Sequence, residues 1–272
     1  MYRKESKLIL IIFFIAALSH YSFAIEIKDS FSCNDNFPHY SFCNAVGFKK
    51  WNESEYKTLN NALTSLKALP RLREFFNQID KSSFKGIYRL EHIAGWYADH
   101  PNRKIYFFRS HDKATLWVDP ITKVVGVLDS FFVKINSFPR EEQNRVAMKS
   151  LLHELSHVID ISMGNISSTK EFYEIFNWRW NKHRRKYVLD SVSHKQAVKE
   201  FFKLIENKQR RTWPWVYRQD QKRGNYYSLP SLYSAVNPQE NFAENLTHYY
   251  LDTNYESYSS FKQIDFFDRL FL

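Results

Sequence analysis

Cysteine is nearly absent from this sequence of 272 residues, which has only Cys33 and Cys43. Two thiols cannot make a multi-bridge disulfide framework, and nothing around them marks them as metal ligands. Long apolar runs are equally scarce. The one candidate, Leu8 to Leu18, falls short of the roughly 20 residues a membrane-spanning helix needs. Internal repeats, low-complexity segments and signatures of a nucleic-acid-binding fold are missing too. What remains is a chain long enough for one large domain, or for a catalytic domain with a small companion.

The N-terminus carries the marks of a targeting segment. Arg3, Lys4 and Lys7 precede the apolar run, and Ser22-Phe23-Ala24 has the small-x-small form of a cleavage signal. The pattern predicts export through a leader cleaved after Ala24, to the periplasm or out of the cell; an uncleaved anchor is the alternative. In an oxidising compartment Cys33 and Cys43 are expected to form a disulfide closing a small N-terminal loop, with two free thiols as the other reading. Loss of three basic residues and Glu5 with the leader takes the formal charge from +10 to +8. Cationic residues concentrate in Lys182-His183-Arg184-Arg185-Lys186 and Lys208-Gln209-Arg210-Arg211, near Trp178, Trp180, Trp213 and Trp215. The region 182–211 could attract an anionic envelope polymer or a membrane surface, or could be a solvated face beside packed aromatics. Nucleic acid is not an expected partner of an exported chain lacking a nucleic-acid fold.

Periodicity outlines an α+β fold with a small mixed sheet ahead of one long helix and mostly helix elsewhere. Asn52 to Ile79 reads as a helical hairpin with Leu59, Leu63, Leu66 and Leu69 on one face and Pro70 as the break. Ile105-Tyr106-Phe107-Phe108, Thr115-Leu116-Trp117-Val118 and Lys123 to Leu128 read as strands, with Asp119-Pro120-Ile121-Thr122 a turn. Val124 to Asp129 is expected to be an exposed sheet edge able to pair with an extended peptide. Helix is expected over Lys170 to Lys186, Ser193 to Asn207 and Pro238 to Leu251, the last clear one. The polar and aromatic stretch Arg211 to Leu229 is long enough for a lid or cleft wall. The implied organisation is a leader over 1–24, a disulfide loop and hairpin over 25–85, and a catalytic domain over 86–272 with an aromatic and basic insertion at about 168–228.

One stretch names a chemistry: His153-Glu154-Leu155-Ser156-His157, an HExxH pattern. On a helix, positions i and i+4 project from one face, so both imidazoles can bind one Zn²⁺, and Glu154 lies beside them as a base for water. The bland alternative makes both histidines ordinary helix residues. Ser137-Phe138-Pro139-Arg140-Glu141-Glu142 reads as the helix start, with Ser137 or a neighbour as cap, and Gly164-Asn165 as the stop.

Catalytic zinc sites normally take three protein ligands, so a third is needed. A histidine six residues beyond the motif is excluded, since the required glycine and histidine positions hold Asp160 and Met163. Glu240 is the best source. With Glu244 and His248 it forms one face of the helix opened by Asn237-Pro238, so a ligand and its supporting group can reach the metal together. Its structural alternative is a capping box with Asn237.

The motif followed by Tyr233 and the stretch Glu240-Asn241-Phe242-Ala243-Glu244 resembles the gluzincin-type peptidases related to anthrax lethal factor and the Pro-Pro endopeptidases. It is also similar to the Mlc titration factor A peptidases, which share the HExxHxxD and N-P-x-E-x-F-A forms. The resemblance implies a zincin-like fold and peptide hydrolysis with His153, His157 and Glu240 as zinc ligands. It also implies Glu154 as general base, Tyr233 as oxyanion donor and Glu244 as support for a zinc-bound histidine. Asp160 would orient a ligand or be a helix-surface acid. Glu240 lies 83 positions beyond His157, more than the family's usual spacing, which implies an insertion. The expectation is an exported zinc endopeptidase; a zinc-stabilised envelope binding protein with little or no proteolysis is the other reading.

Overall fold

The computed structural model describes residues 25–31, 46–99, 104–109, 116–119, 122–183, 186–189, 229–231 and 233–271. The leader, Cys33 and Cys43, the helix expected over Ser193 to Asn207 and residues 211–228 lie outside them. The fold is α+β. Helix α1, Glu53–Lys67, starts at a reciprocal cap: Asn52 Oδ1 accepts from Glu55 N at 2.8 Å, and Asn52 N donates to Glu55 Oε2 at 3.3 Å. It buries Leu59, Ala62, Leu63 and Leu66 on one side. Pro70 opens a 3₁₀ turn, Pro70–Leu72, which leads into α2, Arg73–Lys81, so the hairpin forms where the leucine spacing and proline put it.

Among the described residues six strands form the sheet: β1 (Ile27–Lys28), β2 (Val46–Phe48), β3 (Gly86–Asp99), β4 (Lys104–Arg109), β5 (Leu116–Val118) and β6 (Val124–Val127). The long β3 is its axis, parallel to β1 and β6 and antiparallel to β2 and β4. The order β1-β3-β6-β5 corrects the expected edge. Val124 to Val127 is an interior strand, paired on one side with β3 and on the other with β5, and all four residues are buried. A strand buried on both faces reads as a continuous apolar run, which Val-Val-Gly-Val is. Gly126 packs closely on Leu90, since a Cβ there would meet Leu90 Cδ1 at 2.1 Å and force that side chain to shift.

Strand β6 leads into α3, Asp129–Asn136, and then into the motif helix α4, Arg140–Ser162. The start of α4 differs from the expected cap. Pro139 occupies that position without a side-chain cap, while Ser137 Oγ donates back to Lys134 O at 2.5 Å and closes α3 instead. The stop is where the sequence puts it, with Gly164 (φ +88°) and Asn165 (φ +61°) in the left-handed region. Arg89 on β3 is fully buried and ties this part together. Its guanidinium bonds Glu55 of α1 at both oxygens (2.6 and 3.1 Å), Asp129 at the start of α3, and the carbonyls of Leu90 and Val127.

Beyond α4 the expected helix over Lys170 to Lys186 is mostly replaced. Helix α5 covers only Lys170–Ile175, Asn177 takes a positive φ of 58°, and a β-hairpin follows from β7 (Trp178–Asn181) to β8 (Lys186–Leu189). Stacking of Tyr173 on Tyr187, centroids 3.9 Å apart, holds the hairpin to α5. A 3₁₀ turn, Tyr233–Ala235, precedes α6, Pro238–Leu251, which has the expected bounds. It is not the last helix: α7 (Tyr255–Tyr258) and α8 (Phe261–Leu270) follow, the latter opened by a Ser260/Gln263 capping box. Phe266 and Phe267 of α8 pack with Phe172, Phe176 and Phe242 in a core that also takes the buried faces of α1, α2, α4 and β6. Among the described residues no helix is long and apolar enough to cross a membrane.

Candidate metal centre

Helices α4 and α6 lie against each other in this core, and their facing polar residues form the site. One turn of α4 separates His153 from His157, and their Nε2 atoms lie 3.2 Å apart with the rings at 85°. Glu240 enters from the first turn of α6. Its Oε2 is 3.0 Å from His153 Nε2 and 3.4 Å from His157 Nε2. Three donors on a tetrahedral zinc, each at roughly 2.0–2.1 Å, stand about 3.3 Å from one another. The observed spacings match that triangle, and the donor set, two imidazoles and a carboxylate, is one that zinc takes.

The two readings of Glu240 coexist on different atoms. Asn237 Oδ1 accepts from Glu240 N at 2.8 Å and caps the helix. The carboxylate does not complete the box; it points to the histidines. The cap therefore fixes the backbone of the residue whose side chain faces α4.

Charge in the site is unbalanced in favour of a cation. Glu154, Glu240 and Glu244 bring three carboxylates into partial or full burial beside two imidazoles. Burial works against the carboxylates of Glu240 and Glu244, yet His153 and its neighbours hold both well below the usual range. Burial pushes the His153 imidazole down, and the same two carboxylates outweigh it and hold the imidazole above its ordinary value. Buried charge of one sign is neutralised by a partner, a proton or a metal ion. Here a single position between His153, His157 and Glu240 would serve.

Glu154 is half-buried beside the histidines. Desolvation raises its carboxyl, His153 and His157 pull it back, and Glu240 adds to the rise. A raised carboxyl next to a cation site suits a group that takes and returns a proton. Tyr233 reaches the site from the 3₁₀ turn, its ring 5.9 Å from that of His153. Burial, then the charge of Glu240 and a hydrogen bond to it, push the phenol well above its usual value and keep it a donor.

Behind His153, His157 and Glu240, Glu244 Oε1 lies 2.8 Å from His153 Nδ1, off the line of an ideal hydrogen bond. This placement favours the proton on Nδ1 and leaves Nε2 free to ligate. Glu244→Gln is therefore expected to loosen metal binding about 10- to 100-fold, read by competition with a coloured zinc chelator. His248 continues the same face. Its Nδ1 is 3.3 Å from Asp252 Oδ2 and 3.1 Å from Tyr258 Oη, and its Nε2 stands 3.9 Å from Glu244 Oε2. Asp252 and Tyr258 belong to no sequence motif, although Asp252 follows His248 at a four-residue step.

Asp160 fits neither expected role. It is buried, not on a helix surface, and both its oxygens are taken by Ser167, from N at 2.7 Å and Oγ at 2.6 Å. It anchors the loop after α4 rather than a ligand. The hairpin's Trp180, Arg179, Lys182 and His183 are exposed, while Trp178 is buried in the core. Comparison of the chain with protein-family models, with curated proteins and with solved structures finds no match.

Proposed function

We propose that this chain is an exported, zinc-dependent endopeptidase of the gluzincin type, with a zincin-like catalytic domain. The observation that carries the reading is the convergence of His153, His157 and Glu240 from two helices at zinc-ligand spacing, with Glu154 beside them. Those three residues would hold the ion. Bound there, zinc supplies Lewis acidity toward water and toward a peptide carbonyl.

The chain's own groups account for the rest. Glu154, its carboxyl raised by burial, accepts a proton from the attacking water and returns it to the departing amine. The Tyr233 hydroxyl, kept protonated, donates to the oxygen that gains negative charge as the carbonyl is attacked. Glu244 holds His153 in orientation. A mixed decapeptide library incubated with the zinc-loaded protein is expected to be cleaved at internal bonds, to stop with chelator, and to resume when zinc is returned. Equimolar zinc with no cleavage of any peptide would instead favour a zinc-stabilised binding protein, which needs neither Glu154 nor Tyr233.

A further inference from the structure

Tyr233 sits on a 3₁₀ turn of only three residues, too short to hold a side chain in place by its own backbone bonds. A buried polar ladder holds that turn from behind. Val236 N donates to Tyr233 O at 3.1 Å, Ser234 N to Ser231 Oγ at 3.2 Å, and Ser234 Oγ to Ser231 O at 2.5 Å. The outward carbonyl, Ser234 O, accepts from Asn241 Nδ2 at 2.9 Å.

The direction of the ladder follows from its end. A carbonyl only accepts, so Asn241 must present its NH₂ to Ser234 and its Oδ1 the other way. Asn245 then gives its own Nδ2 to Asn241, at 2.8 Å to the backbone O and 3.2 Å to Oδ1. Tyr255 completes the chain by donating to Asn245 Oδ1 at 3.1 Å. The side chains that make it are buried: Ser234 at 0 %, Asn241 at 1 %, Ser231 and Tyr255 at 2 % and Asn245 at 3 % exposure. An amide on an apolar helix face is costly unless fully bonded, and these are bonded only in this one arrangement.

We propose that Asn241 is the positioning residue for Tyr233, fixing the turn that aims its hydroxyl at the carbonyl-oxygen position, with Asn245 and Tyr255 holding Asn241 in turn. The proposal rests on the peptidase reading. Its geometric basis is that Glu240 and Asn241 are consecutive: one presents its carboxylate to the histidines, and the other bonds the turn that carries the donor. The distance between ligand and donor is thereby set within a single turn of α6, independently of the long segment between α5 and the 3₁₀ turn.

The test uses full-length zinc-loaded protein and the library peptide that the wild type cleaves fastest. Tyr233→Phe is expected to lower kcat about 100-fold. Asn241→Leu should lower kcat about 10- to 100-fold with KM within about twofold and zinc retained. It should add nothing further in a Tyr233→Phe background, because it acts only through that hydroxyl. Tyr255→Phe, which removes one oxygen at the far end and spares the core, should give a smaller kcat loss with the same non-additivity. Equal losses in both backgrounds, or loss of zinc in Asn241→Leu, would overturn the proposal. Hydrogen exchange over 233–236 reads the ladder without turnover. Faster exchange in Tyr255→Phe and Asn241→Leu supports it, and unchanged exchange overturns it. A wild type that holds zinc but cleaves nothing would sink the peptidase reading alone.

Discussion

Glu154→Gln is expected to reduce peptide hydrolysis by about 10³-fold in kcat, within the 10²- to 10⁴-fold range of general acid–base catalysis, while zinc content stays equimolar. The substitution preserves shape and hydrogen bonding but removes the basic oxygen. Glu154 is not among the groups whose atoms converge at ligand spacing, so the ion should not depend on it. Burial that raises the Glu154 carboxyl also makes its carboxylate a stronger base than an exposed one, which suits a group that accepts a proton and gives it back. Activity and zinc measured on the same sample give the check. Retained activity would mean that some other group moves the proton.

The second large effect is on stability. Arg89→Met should destabilise the fold by about 3–5 kcal/mol, because the buried guanidinium is replaced and Glu55, itself largely buried, loses its bidentate partner. Asp129 contributes less, being mostly exposed and still paired with Lys49 at 2.6 Å. At two to four degrees per kcal/mol for a chain of this size, Tm should fall by roughly 10 °C, measured by calorimetry. The acid limb should change too. Burial raises Glu55, but its bonds to Arg89 and Asn52 outweigh burial and hold it low. Lys49 first, then Arg89, hold Asp129 below its usual value. Both carboxyls are depressed on folding, so their stabilisation is complete above their unfolded values, near pH 4, and is lost as pH falls through the lower folded values. The variant should therefore lose less stability between about pH 5 and 2 than the wild type does.

The parts of the molecule legible in sequence are those whose signals are local. The i, i+4 histidines specify one helix face, and Gly164-Asn165 ends that helix in left-handed backbone. Asn237-Pro238 opens α6 where expected, and the four-residue step from Glu240 to Glu244 puts both carboxylates on His153. Competing local readings misled elsewhere. The helix expected over Lys170 to Lys186 gives way to a hairpin, since Trp-Arg-Trp-Asn and Lys-Tyr-Val-Leu have strand character and Asn177 takes a positive φ before them. The edge expected over Val124 to Asp129 is instead the interior strand β6, of which the unbroken apolar run Val124 to Val127 is the mark. The capping pair Ser260/Gln263 would have announced α8. Asp160 shows a limit of motif transfer, since its carboxylate serves Ser167 and not the site. Arg89 and the Asn241 ladder had no sequence signal, because their partners are set by packing between segments far apart in the chain or by burial of an entire helix face.

The most direct test of the central claim is metal content by mass spectrometry of the purified chain after exhaustive dialysis, alongside His157→Ala and Glu240→Ala. The account predicts equimolar zinc in the wild type and in Glu154→Gln, and none in the two ligand variants. Zinc-free wild type after loading, or equimolar zinc surviving in both His157→Ala and Glu240→Ala, would contradict it.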